Sequence, residues 1–285
     1  MAKTHDLKRR IRSIKNTMQV TKAMKMVSAA RLRRAQDRIL AARPAAIVIR
    51  KILSSLAARA NPELHPLLVQ RPIKRMELIL VTSDRGLCGS FNANAIKAGG
   101  AFLRERGPDS VNVLSVGRRG RDFARRRGLT ITAEWLDVFR ALDFGTAHAI
   151  GDDVIGRYVR GEIDSVHIAY NEFKNVVSQK PVVEQVLPIP RATFEPGQPI
   201  EDYIYEPDPE WLMESILPGY VRSEIWRALL ESAAAEHAAR MTAMDSATKN
   251  ATELTDALTL HMNRVRQASI TTEIIEVVSG AEALG

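Results

Sequence analysis

The sequence predicts an α/β chain assembled in an uncommon order: a long antiparallel coiled coil of the N- and C-terminal helices, with an α/β domain inserted between them. Three observations lead there. An apolar seam with alternating spacings of four and three runs from Leu230 to Val265, a matching seam runs from Leu7 to Ile39, and between them the helical period gives way to short apolar runs.

The C-terminal seam passes through Leu230, Ala234, His237, Met241, Met244, Thr248, Ala251, Thr255, Leu258, Met262 and Val265, the 3.5-residue period of a coiled coil. Neither Gly nor Pro occurs between residues 220 and 279. As one helix this stretch would be about 90 Å long. A domain of about 150 residues has a radius of gyration of about 15 Å, too small to cover it. A second helix is therefore required, and the N-terminus supplies one. Its first 60 residues lack Gly, contain only Pro44, and repeat the seam through Leu7, Ile11, Ile14, Met18, Thr21, Lys25, Ser28, Leu32, Ala35 and Ile39. Lys25 and Ser28 weaken that seam, and a second stripe through Val20, Met24 and Val27 runs beside it, the drift of a 3.6-residue helix carrying a 3.5-residue pattern.

Charge supports the pairing. Residues 1–60 hold 16 Lys/Arg against Asp6 and Asp37, whereas residues 209–285 hold 11 Asp/Glu against 6 Lys/Arg. Helices of opposite charge favour each other over self-association. Being unequal, they should leave part of the longer C-terminal helix unpaired or paired with another molecule.

In the middle, Met76–Thr82, Val111–Val116 and Val166–Tyr170 read as buried strands, with helices expected at Asn92–Arg106, Arg118–Arg127 and Thr146–Arg160. Such alternation predicts a parallel sheet with crossover helices, a Rossmann-like α/β domain. Val182–Leu187 adds an edge strand before a stretch with seven prolines between 181 and 209, which reads as a linker. Leu217-Pro218-Gly219 should bend or interrupt the start of the last helix. The expected organisation is an N-terminal coiled-coil helix over 1–60, the inserted domain over 61–208, and a C-terminal coiled-coil helix over 209–285.

Motifs for chemistry are sparse. No GxxxxGK[ST] or GxGxxG pattern occurs. Ser83-Asp84-Arg85-Gly86-Leu87-Cys88-Gly89 follows a strand and precedes a helix, a place where phosphates bind, but lacks the Gly spacing for converging amides and reads as a structural turn. Cys88, the single cysteine, reads as a small packed residue and excludes an internal disulfide, in keeping with a reducing cytoplasm. The six histidines form no metal-spaced pair. No catalytic residue, metal or cofactor is expected. No apolar run is long enough to span a membrane, and no signal-peptide core precedes the seam. The basic first helix raises nucleic-acid binding as the alternative function, through Lys8-Arg9-Arg10, Arg33-Arg34 and Arg125-Arg126-Arg127. Against it, no aromatic residue precedes Phe91, so a base-stacking platform is lacking there.

Three stretches resemble the gamma subunit of F-type ATP synthases, the rotating central shaft. They are Ile14–Ala30, the turn Ser83–Gly89 with Phe91-Asn92 behind it, and Asn263–Glu273 closing with Glu276 and Gly280-Ala281. Ala239-Arg240-Met241 and Ala243-Met244 lie upstream of the last as in the family, and the likeness covers the chain end to end.

The resemblance implies a non-catalytic subunit peripheral to the cytoplasmic face of the bacterial inner membrane. Its partners would be the alpha and beta subunits of the catalytic head, the epsilon subunit and the c-subunit ring, and it would couple proton-driven rotation to ATP synthesis or hydrolysis. It also implies roles for particular residues. Met24, Lys25, Arg240, Arg266, Gln267, Thr271 and Glu273 fall at the contact with the head, and Tyr205 and Glu206 at the foot near the c-ring and epsilon. Met24 is read equally well as seam packing, and Lys25 stands where relatives carry an acidic residue. The apolar residues between Thr271 and Leu284 suit a bearing. A chloroplast-type thiol switch, which needs a cysteine pair, is not expected.

Overall fold

The computed structural model describes residues 2–59, 65–190 and 209–282, which form two compact units. One comprises Met1–Ser28 and Arg240–Gly285, the other Ala29–Ala239. The first helix, α1 (Ala2–Arg59), and the last, α5 (Pro209–Glu282), contribute segments to both.

In the first unit the two seams meet. Thr252 Oγ1 donates to Met18 Sδ at 3.3 Å, the Thr21 and Thr248 hydroxyls share a hydrogen bond of 2.8 Å, and Lys25 Nζ donates to Asp245 Oδ1 at 2.5 Å. Numbers rise on α1 as they fall on α5, so the pairing is antiparallel. Ile11, Thr21, Ser28, Met244 and Thr255 are buried between the helices. Every position of the predicted C-terminal seam is buried or half-buried. The paired numbers add to 269 or 270, which sets the start of α1 opposite about residue 268. From Ile270 to Ala281 every residue of α5 is exposed, as expected of the longer partner once the shorter has ended.

The second unit holds a five-stranded sheet in the order β3-β2-β1-β4-β5. Strands β1 (Met76–Val81), β2 (Val111–Val116), β3 (Ile131–Trp135) and β4 (Ser165–Phe173) are parallel, and β5 (Gln179–Leu187) runs antiparallel to β4. Helices α2 (Phe91–Arg106) and α3 (Arg118–Arg126) contribute Leu103 and Ala124 to an apolar cluster with Leu78, Leu80 and Val113. A larger cluster joins Ile79, Val81, Leu114 and Ile168 to α4 (Phe144–Val159) and to Met213, Leu217, Val221, Ile225 and Leu229 of α5. β1, β2 and β4 thus divide their alternate side chains between two helical layers.

Two expectations need correction. The sheet has a strand that the sequence reading omitted, β3, a short edge strand whose Ile131, Ala133 and Trp135 alternate with exposed Thr132 and Glu134. Half-buried and five residues long, it lacks the continuous apolar run that marks the central strands. Nor does α5 break at Leu217-Pro218-Gly219; Pro218 lies inside an uninterrupted helix. Its missing N–H costs about 3 kcal/mol, offset by Met213 and Leu217 before it and Val221 and Ile225 after it, all buried in the core. The linker predicted after Leu187 falls largely on residues 191–208, outside the described residues.

Close approach between helices has a sequence cause. A Cβ on Gly151 of α4 would sit 2.8 Å from Arg222 Cγ of α5, while Arg222 bonds Asp152 through Nη2 at 2.6 Å. Gly lets the arginine lie across α4 and reach the next residue's carboxylate.

The seam makes a direct prediction. Met244→Lys forces an ammonium into the α1–α5 pairing, and thermal unfolding followed by circular dichroism should register a loss of about 3 kcal/mol. Glu253→Lys, on the exposed side of the same helix, should change stability by less than about 0.5 kcal/mol. Equal losses would mean that Met244 does not face α1.

Candidate partner-binding surface

The turn Ser83–Gly89 ends β1, where a nucleotide-binding domain would bind phosphate. Here the chain's own groups occupy the position. Ser83 N donates to Asn92 Oδ1 at 2.9 Å, and Ser83 Oγ to Arg85 O at 2.5 Å. Three amides that open α3 are also used: Arg118 N donates to Asp84 Oδ1, Arg119 N to Ser83 O, and Gly120 N to Thr82 Oγ1 at 2.8 Å. Gly117 lies so close beneath that an added Cβ would be 2.1 Å from Thr82 O. The turn is a clasp, as its glycine spacing suggested.

Cys88 is 1% exposed, accepts a hydrogen bond from Asn92 Nδ2 at 3.1 Å, and packs with Phe91 against Ala235 and Ala239 of α5. It is a small packed residue, seating the turn on the helix.

The residues that the resemblance assigned to the head all belong to the first unit. They do not form one cluster. Met24 and Lys25 are half-buried on α1 beside Asp245. Arg266, Gln267, Thr271 and Glu273 begin 21 residues farther along α5, about 30 Å away, and all four are exposed. Thr271 Oγ1 donates to Gln267 O at 3.0 Å, and Ser269 Oγ donates to Glu273 Oε1 at 3.5 Å, contacts within the helix that leave its surface available. Arg240 is half-buried. Tyr205 and Glu206 lie outside the described residues.

Lys25, a defect in the seam by composition, has its answer in Asp245. Lys25 and then Lys249 hold the Asp245 carboxyl below the ordinary carboxylate range. The sequence reading missed Asp245 because nothing local marks one carboxylate on α5 as the partner of one lysine 220 residues earlier. Val20 and Val27 belong to the second stripe that runs beside the seam through Met24. Both are more than half exposed, as is Met26, so this stripe is an open apolar surface on a basic helix. On α5 the corresponding feature is Ile270, Ile274, Ile275, Val277 and Val278, all exposed. Exposed apolar patches on a structured helix mark interaction surfaces. Among the described residues no helix is long and apolar enough to cross a membrane, and no cluster of His, Cys, Asp or Glu is arranged to hold a metal.

Comparison with known proteins places these features in context. The family model described as ATP synthase matches residues 3–284. The ATP synthase gamma chain of Solibacter usitatus is 51% identical over 282 residues, 98% of each chain. That of Desulforamulus reducens is 48% identical over 284 residues, the full length of both. Among solved structures, a chain of the central stalk and c-ring of Tetrahymena thermophila mitochondrial ATP synthase is similar at 27% identity with a TM-score of 0.63, over 80% of this chain and 99% of that one. A chain of the Euglena gracilis mitochondrial enzyme, from a structure of its OSCP, F1 and c-ring, has the same fold with a TM-score of 0.74, covering 99% and 95%. The nucleic-acid reading of the basic helix finds no counterpart among these relatives.

Two outcomes follow from the geometry. The buried Cys88 thiol should react with an uncharged disulfide reagent at least about a hundredfold more slowly in the native chain than after denaturation; comparable rates would mean that the turn is open. Because the Asp245 pKa is lowered on folding, its contribution is present above the ordinary Asp value of about 4 and is lost as pH falls through the folded value. Thermal unfolding between about pH 5 and about pH 2 should therefore fall less steeply in Asp245→Asn than in the wild type. Identical slopes would show that the Lys25 pair contributes nothing.

Proposed function

Since this chain belongs to the ATP synthase gamma-chain family, we propose that it is the central-stalk rotor of a bacterial F-type enzyme, coupling rotation of the proton-driven c-ring to ATP synthesis or hydrolysis in the head. The observation that carries the reading is the antiparallel pair in the first unit, whose longer member runs on from about residue 270 fully exposed and studded with Ile and Val. A surface of this kind, apolar and without fixed charge pairs at its end, lets a helix turn within a sleeve. Strong directional bonds there would become barriers to each step.

The mechanism is differential contact. A partner shifts the conformational equilibrium of a catalytic subunit only by touching its states unequally. An antiparallel pair with a basic, partly apolar side on α1 and a longer bare α5 is asymmetric about any axis. Rotation would therefore present different surfaces in turn to the alpha and beta subunits. Met24, Lys25, Arg240, Arg266, Gln267, Thr271 and Glu273 are proposed as contacts with that head. Tyr205 and Glu206 are proposed as contacts with the epsilon subunit and the c-ring. In this reading the segments 1–60 and 209–285 form the rotor shaft and 61–208 its inserted domain. The subunit has no catalytic role of its own and sits peripherally on the cytoplasmic face of the inner membrane.

The decisive experiment ties the rotor to its surroundings in the assembled enzyme. With Cys88→Ala as background, Lys22→Cys places a thiol on the exposed side of α1 one turn from Lys25, to be oxidised to a cysteine on a facing loop of a beta subunit. Oxidation should stop multi-turnover ATP hydrolysis and reduction restore it. Unchanged turnover with the cross-link complete would make this chain a static scaffold.

A further inference from the structure

Most arginines with a structural role in the second unit have a carboxylate: Arg157 bonds Glu77, Arg222 bonds Asp152, Arg125 bonds Glu134, and Arg227 bonds Glu184. One group does not. Arg31, Arg34 and Arg38 follow one another on a single face of α1, spaced three and four residues apart, so their guanidinium groups span about 10 Å. Arg140 joins them from the short 3-10 turn Val138–Arg140, more than a hundred residues away in sequence. Together with His237 of α5 they line a cleft of about 220 Å³ backed by Leu230 and Ala233. No acidic residue lines it, and among the described residues none of the four arginines forms an ion pair.

Arginines along a helix are ordinarily just a solvated face. Here the row is met by a fourth arginine from another segment, and the groups border a concavity. Like charges gathered around low-dielectric walls focus potential into the cleft. Arg38 is held in place, donating from Nη1 to Leu142 O at 3.0 Å, so part of the arrangement is set before any ligand arrives.

We propose that this cleft binds a small phosphate-class oxyanion carrying more than one phosphate group, with Arg31, Arg34 and Arg140 as its principal ligands and Arg38 as a fixed wall. The guanidinium fork matches two oxygens of a phosphate group, and a diphosphate accepts several such forks at once. Forks converging from α1 and from the 138–140 turn on one concavity favour a compact anion over the spaced carboxylates of an acidic helix. Bound there, the anion would bridge α1, the 138–140 turn and α5, and stabilise the unit by mass action.

Titration of the full chain with pyrophosphate, at ionic strength held constant with chloride, tests this by calorimetry and by thermal unfolding. Saturable binding and a rise in Tm are expected. Each of Arg34→Gln and Arg140→Gln should weaken binding by about tenfold, the effect of losing a hydrogen bond to a charged group. Arg33→Gln, on the same helix but outside the cleft, should bind as the wild type does. Circular dichroism confirms that each variant is folded. Absence of saturable binding, or equal weakening in Arg33→Gln, overturns the proposal. So does arginine-dependent binding of an oligoglutamate peptide in place of pyrophosphate, which would make the cleft a protein-docking face.

Discussion

Burial of small apolar surface along α5 is the constraint on which both units depend. Between Met213 and Ala233 its side chains complete the core beneath the sheet, and from Met244 onward the same helix offers its seam to α1. Ala228, Ala233, Ala234, Ala235, Ala238 and Ala239 are all buried. Six alanines in twelve residues let neighbouring backbones come close where larger side chains would hold them apart, and Cys88 and Phe91 of the clasp seat against two of them. A helix must bury one stripe to persist; this one buries a broad face first and a narrow seam afterwards.

Among the described residues, two charged groups set in the second unit's core, Glu77 and Arg227, are answered by partners. Glu77 sits fully buried in the central strand, and burial pushes its carboxyl up while Thr132 and Arg157 pull it back down. Arg157 reaches it at 3.0 Å. On the opposite flank Arg227 of α5 donates to the Tyr170 hydroxyl at 2.7 Å and pairs with Glu184 at 2.6 Å and Glu224 at 2.8 Å. Burial alone would lower the Arg227 pKa, but Glu224, Tyr170 and Glu184 outweigh it and hold the guanidinium charged. The network joins β4, β5 and α5 through one side chain. Removing one partner of such a group leaves a buried charge uncompensated, which costs more than the pair itself contributes.

The first unit follows the opposite rule. Its helices meet along one narrow apolar seam, interrupted by the Thr21–Thr248 hydroxyl pair and by Lys25–Asp245, and α5 is exposed from Ile270 to Ala281. Light pairing and bare apolar surface suit a part that must slide against neighbours. The dense core of the second unit suits a part that must keep its form.

Periodicity determined the two long helices and their seams, because a 3.5-residue repeat is local and each turn restates it, and the length and opposite charge of the two helices pointed to their pairing. The central strands β1, β2 and β4 were legible for the same reason: they are buried on both sides and read as continuous apolar runs. The clasp at Ser83–Gly89 was legible as a turn, and Cys88 as a packed residue. Other features required pairings across the chain. β3 has a weak pattern and becomes a strand only because β2 offers it an edge. Pro218 stays within a helix because the core grips both sides of it. Lys25 finds Asp245, Arg227 finds Glu184, and Arg140 meets the arginines of α1 only after folding has joined residues that no local rule connects. What repeats along the chain can be read from it; what depends on a single partner far away is decided by tertiary structure, because one long-range contact leaves no periodic trace in the sequence.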